Sequence, residues 1–174
     1  QRIALPGQTL LPGFIEGHSH RLLHPYDKVP WDDQVLKESE AYRVARAVVH
    51  AKATLLAGFT TVRDLGTEGA GNADVGLKRA INEGQIPGPR MIIATRALVA
   101  PGSYAPKNDA WAVPQGAEEA DGPNLVSAVR RQIGAGFDCR DDRASRVIGA
   151  IGVQHGRTGQ AGEGVAPCVG IALR

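Results

Sequence analysis

Residues 10–20 read LLPGFIEGHSH, and this stretch decides the fold. Its apolar content predicts a strand buried on both faces, as strands of parallel sheets are. Side chains alternate between the two faces of a strand, so His18 and His20 point the same way while Ser19 points away. Two imidazoles about 6–7 Å apart along the backbone can converge on one metal ion. Because imidazole suits zinc and neighbouring transition metals, the pair predicts a metal site; the alternative is two polar residues at a strand end.

Together with three later stretches, this sequence resembles the amidohydrolase superfamily. LPGFIEGHSH is similar to the first barrel strand of that family, usually L-P-G-hydrophobic-I-D-x-H-x-H, with Glu16 where Asp is more frequent. The similarity continues through TTVRDLGTEGAG, IPGPRMIIATRAL and VPQGAEEADG. These stretches resemble the branch of imidazolonepropionase-like and Xaa-Pro dipeptidase-like hydrolases. The resemblance covers residues 5–138.

The resemblance implies an α/β fold, specifically the N-terminal part of a TIM (β/α)8 barrel. We expect a remnant of a small β-sandwich domain at residues 1–9, about three βα units of the barrel at 10–138, and an irregular tail at 139–174. Periodic apolar residues predict helices at 39–56, 72–83 and 124–136, alternating with strands at 10–20, 60–65 and 90–98. Crossovers of this length favour parallel βα units.

The family also implies a metal-dependent hydrolase. His18 and His20 would ligate one of one or two divalent metals, with Zn²⁺ the expected ion. The metal would activate water for attack on a C–N bond of an amide, a dipeptide or a cyclic amide. We therefore expect a small-molecule or dipeptide substrate, with dipeptidase-like activity ranked before cyclic-amide hydrolysis.

Residues after 138 depart from the family pattern. Resembled enzymes carry a metal-bridging lysine on the fourth strand, whereas the last lysine here is Lys107. The catalytic aspartate is likewise absent, so no catalytic residue is assigned. Four successive charges from Arg140 to Arg143 do not suit a buried strand. We expect a loosely packed tail that stems from a frame change or an assembly error, Cys139 and Cys168 unpaired, and an incomplete, inactive fragment.

Several other residues are candidates for the site or its frame. Tyr104 and Trp111 lie in a long loop and are candidate substrate-facing aromatics; otherwise they only pin that loop. Arg63 and Asp64 end a strand, where barrels place functional groups, but a structural role is favoured. His24 is expected to be an exposed residue of a polar connection at 21–37. His50, off the apolar stripe of its helix, is expected to face solvent.

Two alternatives to the hydrolase remain. One is a non-catalytic half-barrel that associates through open sheet edges, as a homo-oligomer for instance. The other is a small phosphate-binding α/β domain built on residues 66–71, although their G-x-x-G-x-G spacing is more typical of a tight strand-to-helix turn.

Composition narrows the classes of partner. The 174-residue chain is 43% hydrophobic and has a net charge of +2, so nothing indicates nucleic acid or an anionic membrane as a partner. Apolar runs are too short to span a bilayer, and the N-terminal residues lack the zones of a signal peptide. A cytoplasmic location is expected. The only methionine is Met91, so we expect that the natural start lies upstream.

Overall fold

A computed structural model describes residues 6–101 and 116–138, together with the backbone of two short strands at 148–151 and 169–171. The described residues form a mixed α/β fold with parallel strands and four helices. The elements in chain order are β1 (Phe14–Ser19), α1 (Trp31–Lys37), α2 (Glu40–Leu56), β2 (Phe59–Asp64), α3 (Ala73–Asn82), β3 (Arg90–Ile93), β4 (Leu98–Val99), β5 (Glu118–Glu119), α4 (Gly122–Ala135), β6 (Ile148–Ile151) and β7 (Val169–Ile171).

The main sheet has the strand order β1-β2-β3, and both pairs are parallel. Ser19 is opposite Asp64, and Asp64 is opposite Ile93, so the three strands end side by side. Helices α2 and α3 connect these strands, which confirms the predicted parallel βα pattern. A closed barrel and a β-sandwich remnant at residues 1–9 stay predictions.

The core lies between this sheet and helices α2 and α3. Its buried members are aliphatic side chains from the sheet, both helices and their connections. They are Leu22, Ala47, Val62, Ala70, Leu77, Met91 and Ile93.

Strand β1 differs from its prediction in length and in burial. It is shorter than residues 10–20 and starts at Phe14. The expectation of two buried faces is wrong, since Phe14 is 55% exposed and Ile15 is 73% exposed. The physical reason is the position of β1 at the edge of the described sheet, where only β2 pairs with it. A parallel strand is buried on both faces only when neighbours cover it.

Gly13, which follows Pro12, cannot be replaced by a larger residue because another side chain lies too close to it. An added Cβ at Gly13 would lie 2.2 Å from the Oγ1 atom of Thr60, far inside van der Waals contact. Phe14 then donates its backbone N–H to the carbonyl of Gly58 at 2.9 Å. A side chain at position 13 would therefore push β1 away from β2.

Helix α2 confirms the most detailed helix prediction. The Ser39 hydroxyl caps it by accepting the N–H of Tyr42 at 3.3 Å, and Gly58 follows its end with φ of +95°. Among the apolar residues of α2, Ala51 is buried and Ala41 is exposed.

Other elements depart from the sequence predictions. The connection at 21–37 contains helix α1, and the predicted strand at 90–98 splits into β3 and β4, which belong to different sheets. Helix α4 begins at Gly122, two residues before the predicted start at 124, and its Ile133 is 45% exposed. In the segment 139–174, β6 pairs antiparallel with β7.

Candidate metal and ligand site

The two histidines of the first strand lie together, as their spacing predicted. His18 and His20 follow each other at the carboxyl end of β1, with ring centroids 5.4 Å apart and ring planes at 67°. Ser19 between them is buried, and its hydroxyl donates to the carbonyl of Arg63 at 3.0 Å. The buried serine fixes the end of β1 to β2, so both imidazoles project from the opposite face.

One hydrogen bond orients the His20 imidazole. Its Nδ1 lies 3.0 Å from the carbonyl oxygen of Gly66. A carbonyl only accepts, so Nδ1 carries the proton and Nε2 keeps its lone pair. Metal-binding histidines are commonly oriented in this way by a backbone carbonyl. The His20 side chain is therefore prepared to bind a metal through Nε2.

The His18 imidazole is more exposed than that of His20, and its surroundings favour its neutral form. Burial, the neighbouring His20 and the charge of Arg63 lower the pKa of His18 below its ordinary value of 6.5, while Glu16 acts in the opposite direction. A neutral imidazole is the form that binds a metal.

The buried carboxyl group of Glu68 lies beside His20. Its Oε1 atom is 3.9 Å from His20 Nδ1, and its Oε2 atom accepts the indole N–H of Trp31 at 3.2 Å. Burial raises the pKa of Glu68, although His20, Trp31 and Arg43 favour its charged form. Glu68 thus places a buried carboxyl group near the nitrogen that carries the proton of His20.

Asp64 holds the ends of the first two strands together. It is completely buried, and its two oxygens accept the N–H of Arg21 at 3.0 Å and that of Gly66 at 3.3 Å. Burial raises the pKa of Asp64 to about 6, against the lowering effect of these hydrogen bonds. The contacts fit the structural role predicted for Asp64; the roles of Arg63 and Asp64 stay predictions.

Arg43 connects helix α2 to both loops of the site and was missed in the sequence. The side chain is 1% exposed. Its guanidinium donates to the carbonyls of Leu22, Glu68 and Thr67, at 3.1, 2.8 and 2.6 Å. The signal in the sequence was weak, because an arginine next to an apolar stripe usually covers that stripe and reaches solvent.

A cavity of about 500 Å³ opens beside the two histidines. Its wall contains four imidazoles and two permanent cations, and no carboxylate among its lining residues. They are His18, Ser19, His20, Arg21, Leu23, His24, Pro25, Tyr26, Lys28, His50, Ala53 and Thr54. His50 is half-buried here, with Nδ1 3.2 Å from the carbonyl of Arg21, so the expectation that it faces solvent is wrong.

The chemistry of His18 and His20 fits a divalent transition metal, but the pair supplies only two ligands. Catalytic zinc sites have about three protein ligands. Within residues 6–101 and 116–138, no group of three or more His, Cys, Asp or Glu side chains is arranged to hold a metal ion. The candidate aromatics Tyr104 and Trp111 lie outside the described residues, as do Cys139 and Cys168.

A family model decides the relationship of this chain to known proteins. The model of the amidohydrolase family matches residues 9–172. The chain belongs to the amidohydrolase family. The resemblance predicted from LPGFIEGHSH is thereby confirmed, and at the family level a metal-dependent hydrolase is supported. The match also includes most of the segment 139–174, so the boundary at 138 stays a prediction.

Several solved structures are similar to this amidohydrolase chain over more than two thirds of its length. A prolidase complexed with N-methylphosphonate-L-proline is 27% identical, with a TM-score of 0.59 over 79% of this chain and 36% of that chain. A Xaa-Pro dipeptidase with bound methionine in the active site is 28% identical, with a TM-score of 0.58 over 73% and 32%. Ochratoxinase from A. niger is 26% identical, with a TM-score of 0.52 over 72% and 32%.

The amidohydrolase chain spans about a third of the length of these solved structures. No protein of curated function matches it significantly. Among the described helices, none is long and apolar enough to cross a membrane.

Proposed function

We propose that this chain carries the first metal-binding pair of a hydrolase that cleaves a C–N bond in an amide, a dipeptide or a cyclic amide. The single observation that carries the proposal is the pairing of His18 and His20 at the end of β1, with His20 Nδ1 fixed by Gly66. A dipeptidase-like activity ranks first, because a prolidase and a Xaa-Pro dipeptidase are among the similar structures. Cyclic-amide hydrolysis ranks second.

The residues of this chain would hold and orient the metal. His18 and His20 would bind one ion through ring nitrogens, and the carbonyl of Gly66 would keep the proton of His20 on Nδ1. When bound, a divalent metal such as Zn²⁺ supplies Lewis acidity that activates water and polarises the scissile carbonyl. This pair of ligands is compatible with a site of one metal ion and with a site of two. The cavity beside the pair would receive a small molecule or dipeptide.

We further propose that the 174-residue polypeptide is incomplete as a catalyst. Two imidazoles are half of a zinc shell, and half of the ~10–16 kcal/mol of a four-ligand site is about 5–8 kcal/mol. That free energy corresponds to a dissociation constant of roughly 1–200 µM. Proton transfer during hydrolysis also needs a positioned acid or base, and the aspartate expected from the family has no counterpart assigned in this chain.

The exposed edge of β1 favours a second candidate, a non-catalytic partial barrel that associates with itself. Phe14 and Ile15 are large, apolar and exposed on the strand whose outer edge has no partner among the described residues. Such an edge is a template for pairing with another chain. This candidate involves neither nucleic acid nor membrane, and a cytoplasmic location stays a prediction.

Phosphate binding by residues 66–71 is not proposed. Three N–H groups of this turn are used inside the protein. Gly66 donates to Asp64, and Thr67 donates to the carbonyl of Thr95 at 2.9 Å. Ala70 donates to the carbonyl of Thr67 at 3.3 Å. A phosphate cradle needs N–H groups that point at the ligand. The residues form the predicted turn between β2 and α3.

Metal titration and hydrolysis assays test the proposal together. With Zn²⁺ added, the Nε2 resonance of His20 and a ring nitrogen of His18 should shift in ¹⁵N spectra, with a dissociation constant in the range above. The purified chain should not hydrolyse a panel of Xaa-Pro dipeptides and cyclic amides. His18→Ala/His20→Ala should abolish these shifts, whereas His155→Ala serves as the matched control.

Two outcomes would contradict the proposal. Unchanged His18 and His20 resonances at millimolar zinc would remove the metal-ligand assignment. Hydrolysis by the 174-residue chain that is lost in the double variant would keep the assignment but overturn the claim of incompleteness.

A further inference from the structure

A second pair of imidazoles lines the cavity, outside the motif of the first strand. His24 belongs to the connection after β1 and His50 belongs to α2. Their ring centroids are 5.2 Å apart, with ring planes at 67°, which nearly repeats the 5.4 Å and 67° of His18 and His20. The family motif assigns no role to either residue.

This separation is compatible with a shared metal. A zinc–nitrogen bond of about 2.0–2.1 Å places an imidazole centroid ~3.2 Å from the ion, and a tetrahedral angle between two such ligands gives a centroid separation of about 5.2 Å. The His24–His50 separation of 5.2 Å agrees with this value.

The tautomer of His50 also suits a metal ligand. Nδ1 lies 3.2 Å from the carbonyl of Arg21, so it donates its proton there and leaves Nε2 with a lone pair. This is the same arrangement by which the carbonyl of Gly66 orients His20. Backbone carbonyls in this position orient metal-binding histidines and make the free nitrogen more basic.

His24 is held in place by a buried amide. The Gln34 side chain is completely buried and makes two bonds to the His24 backbone. Its Oε1 atom accepts the N–H of His24 at 2.7 Å, and its Nε2 atom donates to the His24 carbonyl at 3.1 Å. The backbone that carries this imidazole is thus fixed relative to α1, which limits the entropy lost when the ring binds a ligand.

We propose that His24 and His50 form a second transition-metal site, separate from the His18–His20 pair, whose remaining coordination positions open into the cavity. The imidazole donors, and not the nearby charges, decide which ions the site takes. Arg46 is paired with Glu38 at 2.8 Å, but Arg21 and Lys28 leave the cavity wall positive. Imidazole-preferring ions such as Zn²⁺, Ni²⁺ and Cu²⁺ suit the site, whereas Mg²⁺ and Ca²⁺ prefer oxygen ligands.

The positive wall also determines the third ligand. An anion or a water molecule that completes the coordination would face Arg21 and Lys28, so an anionic ligand is favoured over a neutral amine. The lowered pKa values of His24 and His50, caused first by burial, support the site because both rings are then neutral at pH 7.

The test uses the whole chain with ¹⁵N-labelled histidine and Zn²⁺ as the probe. The chain has five histidines, so each ring can be followed separately. Before zinc is added, His50 should show a protonated Nδ1 and an unprotonated Nε2. On titration, His50 Nε2 and one ring nitrogen of His24 should shift together with a common dissociation constant. The same pair should shift in His18→Ala/His20→Ala.

Competition dialysis supplies the stoichiometry. Wild type should bind two zinc ions per chain, each double variant one, and the quadruple variant none, with His155→Ala as the control that keeps two. His24→Gln/His50→Gln should lose the second ion while the wild-type urea midpoint is retained. The zinc titration of the wild-type chain needs no substitution, so it still tests the inference if a variant folds poorly.

Three outcomes would overturn this inference. His24 and His50 resonances that do not move with zinc would exclude binding there. Shifts that vanish in His18→Ala/His20→Ala would mean one shared site of four imidazoles. A wild-type stoichiometry of one, with all four of these histidines responding to zinc, would exclude two separate ions. Failure of the His18 and His20 resonances alone to respond would contradict the proposed function and leave this inference standing.

Discussion

Replacement of Arg43 by methionine should strongly destabilise the fold, because a buried cation there serves three backbone carbonyls. The guanidinium is 1% exposed and donates to Leu22, Glu68 and Thr67, which belong to the loops after β1 and β2. Hydrogen bonds from charged donors contribute about 1.5–3 kcal/mol each, and loss of the donor leaves buried acceptors unpaired.

The net effect is smaller than the sum of three bonds. Burial and the nearby Arg46 lower the pKa of Arg43, which means that folding removes water from its charge at a cost. Methionine avoids that cost, so we expect Arg43→Met to lower the free energy of unfolding by about 3–5 kcal/mol. At an m-value of ~2 kcal/mol per molar urea, the midpoint falls by roughly 2 M. Arg43→Lys keeps the charge but not the planar fork, and should lose about half as much.

Urea denaturation followed by circular dichroism measures this effect. Arg79→Met is the matched control, because Arg79 is an exposed arginine on α3 whose ion pair with Glu83 is open to solvent. Its urea midpoint should equal that of wild type. An Arg43→Met midpoint equal to that of Arg79→Met would refute the reasoning, since the three carbonyls would then have found other donors at no cost.

The remaining predictions concern pH and association. Burial, followed by the charge of Asp64, raises the pKa of Asp74 to about 7. The folded chain therefore holds this proton more tightly than the unfolded chain. The free energy of unfolding should fall by at most about 4 kcal/mol as pH rises from about 4 through 7. Asp74→Asn should remove this part of the pH dependence, and a fall that the substitution leaves unchanged would contradict the assignment to Asp74. Ile15→Lys should reduce the size of the oligomer measured by light scattering, because a lysine on the edge strand opposes pairing with another chain. Leu56→Lys, at a 76% exposed position on α2, should leave the size unchanged. A monomeric wild type would exclude the association.

Local features of the site were predictable because they depend on short-range geometry. Strand alternation alone places His18 and His20 on one face with Ser19 on the other. The cap at Ser39 follows from helix chemistry next to a periodic apolar segment. The resemblance of the first strand to the amidohydrolases added the chemical role of the pair.

Features that depend on distant partners were not predictable. Burial of Gln34 is stable only because the His24 and Val29 backbones and Arg46 satisfy its amide, and no spacing in the sequence reveals that. The pairing of His24 with His50 likewise joins positions 26 residues apart. Ile15 is exposed because only one strand pairs with β1. The apolar composition of a strand does not specify how many neighbours it has.

The position of the metal pair on an edge strand links two binding equilibria. Phe14 and Ile15 on β1 are exposed to any strand that adds to this edge, and His18 is on the same strand four residues beyond Phe14. If strand addition buries or orients His18 and strengthens zinc binding by some factor, thermodynamic reciprocity requires that zinc strengthen strand addition by the same factor. Zinc concentration would then act as a control on self-assembly of the amidohydrolase chain.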